Sequence, residues 1–148
     1  MAMTGDAEHG RSAVTVLVVD DDPAVRDSLK FWLELEGFFV RAYAGGPELL
    51  NDSPIPTEGC LVIDQMMPGM TGLDVVDALR ERGGLFPTIL ITPHADVSLR
   101  NNAASRGVTV LEKPFLERVL VDAINEVTSV DRNQSTVRPQ TSGSTMIG

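Results

Sequence analysis

Cysteine is nearly missing from this chain: Cys60 is the only one in 148 residues, so no internal disulfide can form. A lone thiol at the start of an apolar run reads as a small buried hydrophobe in a reducing compartment. Aromatic residues make up only 5% of the sequence, beside a 43% apolar fraction that suits an ordinary soluble fold. Positive charge is also scarce. Lys and Arg number 12 against 21 Asp and Glu, a formal net charge of -9 with no obvious basic face, which argues against direct nucleic-acid binding by this segment. No apolar stretch approaches the roughly 20 residues of a membrane span, and the N-terminus lacks the basic and apolar regions of a secretory signal. The expectation is a cytoplasmic protein with no membrane partner.

What is present is a repeating alternation. Short apolar, β-branched runs at Val14–Val19, Phe38–Tyr43, Cys60–Ile63, Thr88–Ile91 and Val108–Leu111 are separated by helical patterns. Such βα repetition predicts an α/β fold with a parallel sheet, and the length has room for one domain with a proper core. The first helix is expected to start at Pro23 with Asp22 as its cap, and to bury Val25, Leu29, Trp32 and Leu33 before Gly37 ends it. Trp32 reads as core, because no second aromatic wall accompanies it. Further helices are predicted over Pro47–Asn51, Gly72–Arg82, Val97–Arg106 and Leu116–Thr128. The fourth offers little to bury and is expected to be weakly held. The fifth is amphipathic through Val119, Leu120, Ala123, Ile124 and Val127. Residues 1–13 and 129–148 are polar and non-periodic, and are expected to be a disordered N-terminal segment and a disordered tail or linker.

Acids crowd the strand ends. Asp20, Asp21 and Asp22 follow the first strand and Asp64 follows the third. In an open α/β sheet, ligands bind beyond the carboxyl ends of the strands, so acids there converge although distant in sequence. A hard cation such as Mg²⁺ is commonly held by one or two carboxylates plus a phosphate, a demand that Asp20, Asp21 and Asp64 fit. The turn after Asp64, which contains Pro68-Gly69, could return a backbone carbonyl to the same ion. Lys113, after the fifth strand, is a counter-charge, and Thr92, after Ile91, offers a hydroxyl. With the charge neutralised, one carboxylate could attack phosphorus and form an acyl phosphate.

The segments VLVVDDDPAVRDSL, LVIDQMMPGMTGLDVV, ILIT and EKPF resemble the receiver domain of two-component response regulators over about residues 14–128, most closely the nitrogen-fixation regulator type. The resemblance implies a flavodoxin-like five-stranded sheet in the order 2-1-3-4-5 with five helices. It implies Asp64 as phosphoacceptor, Asp20, Asp21 and Asp64 as Mg²⁺ ligands together with the Met66 carbonyl, Thr92 as switch hydroxyl and Lys113 as the phosphate-pairing base. A sensor histidine kinase would be the donor, and the Lys113-Pro114 bond would be cis. The domain would not itself be an enzyme. It would signal through an effector domain or by self-association, using the face of helix 4, strand 5 and helix 5. An aspartyl-phosphate phosphatase is disfavoured, since Met66 stands where that chemistry needs a second acid.

Two positions depart from the family. Pro93 follows Thr92 where receivers usually carry a residue whose N–H contacts the phosphoryl group, and proline has none to give. Val110 stands where an aromatic ring commonly accompanies the threonine's movement. The alternative is therefore a phosphorylation-independent interaction module held in one state. His94 is read as shielding the phosphoryl group or as a loop residue without a role, and the Met66 side chain as packing more than controlling water.

Overall fold

The computed structural model describes residues 14–52, 59–84 and 86–129. Five parallel strands, β1 (Thr15–Val19), β2 (Phe39–Tyr43), β3 (Cys60–Asp64), β4 (Thr88–Thr92) and β5 (Thr109–Glu112), form one sheet in the order β2-β1-β3-β4-β5. The helices are α1 (Pro23–Leu35), α2 (Gly46–Leu50), α3 (Gly72–Glu81), α4 (Val97–Ser105) and α5 (117–129). This is the flavodoxin-like order expected from the resemblance. Nearly all of the expected disordered ends lies outside the described residues. Ser129 is the exception, in the last described position of α5.

A parallel sheet covered on both faces needs strands that are apolar on both sides. Along β1, Leu17 and Val19 enter one core while Val16 and Val18 enter the other. Leu61 and Ile63 alternate with Cys60 and Val62 on β3 in the same way. One layer gathers Leu49 of α2, Leu73, Val75, Val76 and Leu79 of α3, and Ala103 of α4. The opposite layer holds Leu29 and Leu33 of α1 with Leu120 and Ile124 of α5. Trp32 packs at the rim of that layer, and Cys60 is buried in it with its thiol pushed up to about 12 by desolvation.

Asp22 caps α1 as expected, accepting from the N–H groups of Ala24 (2.9 Å) and Val25 (3.5 Å), and Gly37 takes a positive φ of 102° just after the helix. Thr71 and Asp74 form a reciprocal capping box at the start of α3. One expectation fails: Val119 is 42% exposed, and Thr128 is buried in its stead, with its hydroxyl donating to the Ile124 carbonyl at 2.8 Å. The buried stripe runs through Leu120, Ile124 and Thr128, four residues apart, and Val119 lies about 100° off that line.

Gly72 sets α3 against the end of β3. A Cβ there would lie 2.6 Å from Leu90 Cδ1 and 2.8 Å from the backbone oxygen of Asp64. Gly72→Ala is therefore expected to destabilise the fold by about 1–3 kcal/mol in a urea titration, although glycine-to-alanine changes inside helices ordinarily stabilise.

Candidate functional site

Register does the assembling. Val19 pairs with Ile63 across β1 and β3, so Asp20 and Asp64 occupy equivalent positions at the same end of the sheet. Thr92 closes β4 opposite Glu112, and Lys113 follows directly, its N–H donating to the Thr92 carbonyl at 2.9 Å. Ligand oxygens of Asp20, Asp21 and Asp64 lie within 4.8 Å of one another, with Asp20 and Asp64 buried and Asp21 exposed. Asp22 stays out of the cluster and serves the helix.

Local hydrogen bonds fix the two buried acids. Asp20 accepts from the Asp22 N–H at 2.9 Å, its own N–H donates to the Tyr43 carbonyl at 3.2 Å, and Arg26 Nη1 donates to its carbonyl at 2.8 Å. Asp64 accepts from the Met66 N–H at 3.3 Å. Gln65 ties the turn to α3: its side-chain oxygen accepts from the Leu73 N–H at 3.0 Å. Arg26 and Gln65 carry no sequence signal, because unlike a helix cap their bonds reach backbone atoms six and eight residues away, at no characteristic spacing.

Burial raises the carboxyl of Asp20 above the ordinary range, with the Asp22 N–H and Lys113 opposing and the neighbouring Asp21 and Asp22 adding to the rise. Burial likewise raises Asp64, reinforced by the charge of Asp20 and opposed by the Met66 N–H and Lys113. Lys113 acts through space, since it forms no ion pair within 4.0 Å among the described residues. The Lys113-Pro114 peptide is cis.

The other candidates fall nearby with differing fits. Thr92 is buried, and its hydroxyl donates to the His94 carbonyl at 3.1 Å while accepting from the His94 N–H at 3.3 Å. His94 thus engages the threonine through its backbone. Pro93 is exposed, and Val110 packs against the core layer of α3 and α4. The Met66 side chain, expected to pack, is 63% exposed, because the turn sends Met67 and Met70 to the core instead. An all-oxygen cluster of three carboxylates, only partly offset by Lys113, suits a hard divalent cation.

An acidic crevice at the carboxyl end of a 2-1-3-4-5 parallel sheet, with a threonine and a lysine at the ends of the neighbouring strands, is the architecture of a receiver. The response regulator receiver domain model matches residues 16–125, and the chain belongs to that family. It is 40% identical over 111 residues to the C4-dicarboxylate transport transcriptional regulatory protein DctR of Rhodobacter capsulatus, covering 73% of this chain and 56% of that one. It is 39% identical over 114 residues to the transcriptional regulatory protein FixJ of Azorhizobium caulinodans, covering 76% and 54%. The chain thus spans about half the length of these curated relatives. Among solved structures, FixJ-N superposes with a TM-score of 0.71 at 33% identity, covering 80% of this chain and 95% of that one. Full-length FixJ from B. japonicum gives 0.76 at 30% identity, covering 87% and 66%.

The raised carboxyls carry a sign. Their protonated forms are favoured by the fold, so that stability is full below the unfolded value near 3.8 and is lost as pH rises through the higher folded values. In chelator, the unaltered protein is expected to lose thermal stability over that window, and Asp64→Asn to flatten the loss and raise Tm at neutral pH. Mg²⁺ at about ten times its Kd should add ~1.4 kcal/mol to the unaltered protein and less to the variant, read from melting curves.

Proposed function

We propose that this domain is a phosphoacceptor switch in two-component signalling, with Asp64 as the acceptor and a sensor histidine kinase as the donor. The supporting observation is the cluster of Asp20, Asp21 and Asp64 at adjoining strand ends, next to Lys113, inside a receiver-family domain. A carboxylate oxygen of Asp64 forms the new bond to phosphorus as the phosphorus–nitrogen bond of a phosphohistidine breaks, and the released imidazole nitrogen takes a proton from water. Mg²⁺ on Asp20, Asp21, Asp64 and the Met66 carbonyl would offset the charge of the transferred group. The chain's own residues do the remainder. Arg26 and the Asp22 N–H hold Asp20 in place, and the Met66 N–H holds Asp64. Lys113 supplies the positive charge that pairs with a phosphoryl oxygen, and Thr92 supplies a hydroxyl to a second one.

The domain is a relay and turns over no small substrate as an enzyme does. A sensor histidine kinase as donor implies a cytoplasmic site of action, and no helix among the described residues is long and apolar enough to cross a membrane. The relatives are longer proteins named as transcriptional regulators, and this domain would act on an effector or on a second copy of itself through the face of α4, β5 and α5. Val97 on that face is 73% exposed.

A second reading, an interaction module independent of phosphorylation, draws on Pro93 and Val110. Proline offers no N–H to a phosphoryl oxygen, and a charge-assisted hydrogen bond is worth roughly 1.5–3 kcal/mol. Val110 has no ring to move and is already packed on the core.

Incubation with acetyl phosphate and Mg²⁺ is expected to add one phosphoryl group by intact-mass measurement, with no gain in Asp64→Asn or in chelator. An unmodified protein beside a labelled standard receiver would overturn the phosphoacceptor reading. An Asp64→Asn variant with unchanged partner binding would favour the second. Pro93→Ala, which restores an N–H, should tighten beryllofluoride binding about tenfold or more if that missing donor limits the switch.

A further inference from the structure

Thr92 has one hydroxyl proton, and it is already committed. That proton goes to the His94 carbonyl at 3.1 Å, and the same hydroxyl accepts from the His94 N–H at 3.3 Å. A single O–H cannot serve His94 and a phosphoryl oxygen together. The state of Thr92 therefore depends on the peptide unit joining His94 to Ala95, whose C=O is the acceptor.

The other end of that peptide is tied down. The Ala95 N–H donates to Glu112 Oε2 at 3.3 Å. Glu112 Oε1 receives Arg100 Nη2 at 3.0 Å, and Arg100 Nε donates to the Ala95 carbonyl at 3.1 Å. Ala95, Arg100 and Glu112 thus close a ring that spans the loop after β4, the first half of α4 and the end of β5. Glu112 is the strand partner of Thr92 and immediately precedes Lys113. Ion pairs matter more for α4 than for its neighbours, because Ala103 is its only buried residue and Leu99 is half-buried. Its far end is held by a second, independent anchor, in which Arg106 forks onto Asp77 of α3 at 2.8 and 3.0 Å.

We infer that the Glu112–Arg100 pair is a latch that fixes the His94–Ala95 peptide, and so holds the Thr92 hydroxyl away from the acidic pocket until the ring opens. The inference rests on the phosphoacceptor reading. It supplies a link between the loop after β4 and the strand bearing Lys113, in a domain where Val110 cannot supply one with a ring. Opening the latch frees the His94–Ala95 peptide to turn, which frees the threonine, and it detaches the N-terminal half of α4 from β5. One event then changes both the pocket and the outward face.

The test is beryllofluoride binding with Mg²⁺ to the full chain, followed by fluorine NMR, with amide exchange at Ala95 as a second readout. Arg100→Ala and Glu112→Ala are each expected to tighten binding about two- to fivefold, the range that an exposed ion pair commands, and to speed exchange at Ala95. Simple electrostatics predicts otherwise for one of them: removing the positive Arg100 should weaken binding of an anion, so tightening by Arg100→Ala distinguishes a latch from a charge effect. Asp77→Asn loosens the other end of α4 and should leave the beryllofluoride affinity unchanged. Unaltered or weakened binding in Arg100→Ala, or equal tightening in Asp77→Asn, overturns the latch alone. A protein that fails to bind beryllofluoride even when unaltered overturns the phosphoacceptor reading, and the latch with it.

Discussion

Two carboxylates that repel one another, Asp20 and Asp64, are held at the same end of the sheet and out of water, and most of the domain can be understood from what that requires. Both are raised from the ordinary range by burial, and Asp64 is raised further by Asp20. The compensation is small and local: one N–H from Asp22, one from Met66, and the charge of Lys113 acting through space. A site of this kind lowers the stability of the empty fold. The deficit is met elsewhere, by strands buried on both faces and by two apolar layers that include Leu17, Leu33, Leu61, Ile63, Leu120 and Ile124, all shielded from solvent.

That same burial explains which parts of the architecture were legible in the sequence. The inner strands are apolar on both sides, so β1, β3 and β4 stand out as unbroken runs, and a parallel sheet is the arrangement that buries such runs. Helices α1 and α3 carry full stripes and readable ends. α4 is located to within one residue by its sequence, yet reads as weakly held because its support is not apolar. Asp96 caps it at 2.8 Å to the Leu99 N–H, and Arg106 reaches Asp77, which lies 29 residues away. A cap one residue before a helix can be read from sequence, whereas an ion pair across that separation cannot. Val119 precedes Leu120 and so lies about 100° from the line of Leu120, Ile124 and Thr128, and an apolar residue at that angle falls at the rim, where sequence alone does not say whether it is covered.

The site divides along the same line. Aspartates at the ends of predicted strands could be read because strand ends of an α/β sheet share one side of the molecule, and parallel register brings them level. Side-chain direction within turns could not be read. Met66 and Met67 are adjacent in sequence, yet Met67 reaches the core while Met66 stays in solvent. Thr92 was correctly located at the end of β4, but its hydroxyl is bonded to the backbone of His94, two residues on. Such local bonds from threonine are common and compete with other partners for the same proton.

This competition gives Pro93 a second meaning. Its ring removes an N–H, and it also biases Thr92 toward extended backbone, which the final residue of β4 already has. The residues left to rearrange once the Glu112–Arg100 ring opens are then His94 and Ala95, between the proline and the Asp96 cap of α4. The acid cluster bears on the same question. A module that worked only through a rigid outer surface would gain stability by exchanging Asp20 or Asp64 for a neutral residue. Keeping both charges buried at adjoining strand ends is of use to a domain that would hold a cation there, one that would offset both their repulsion and the charge of a transferred phosphoryl group.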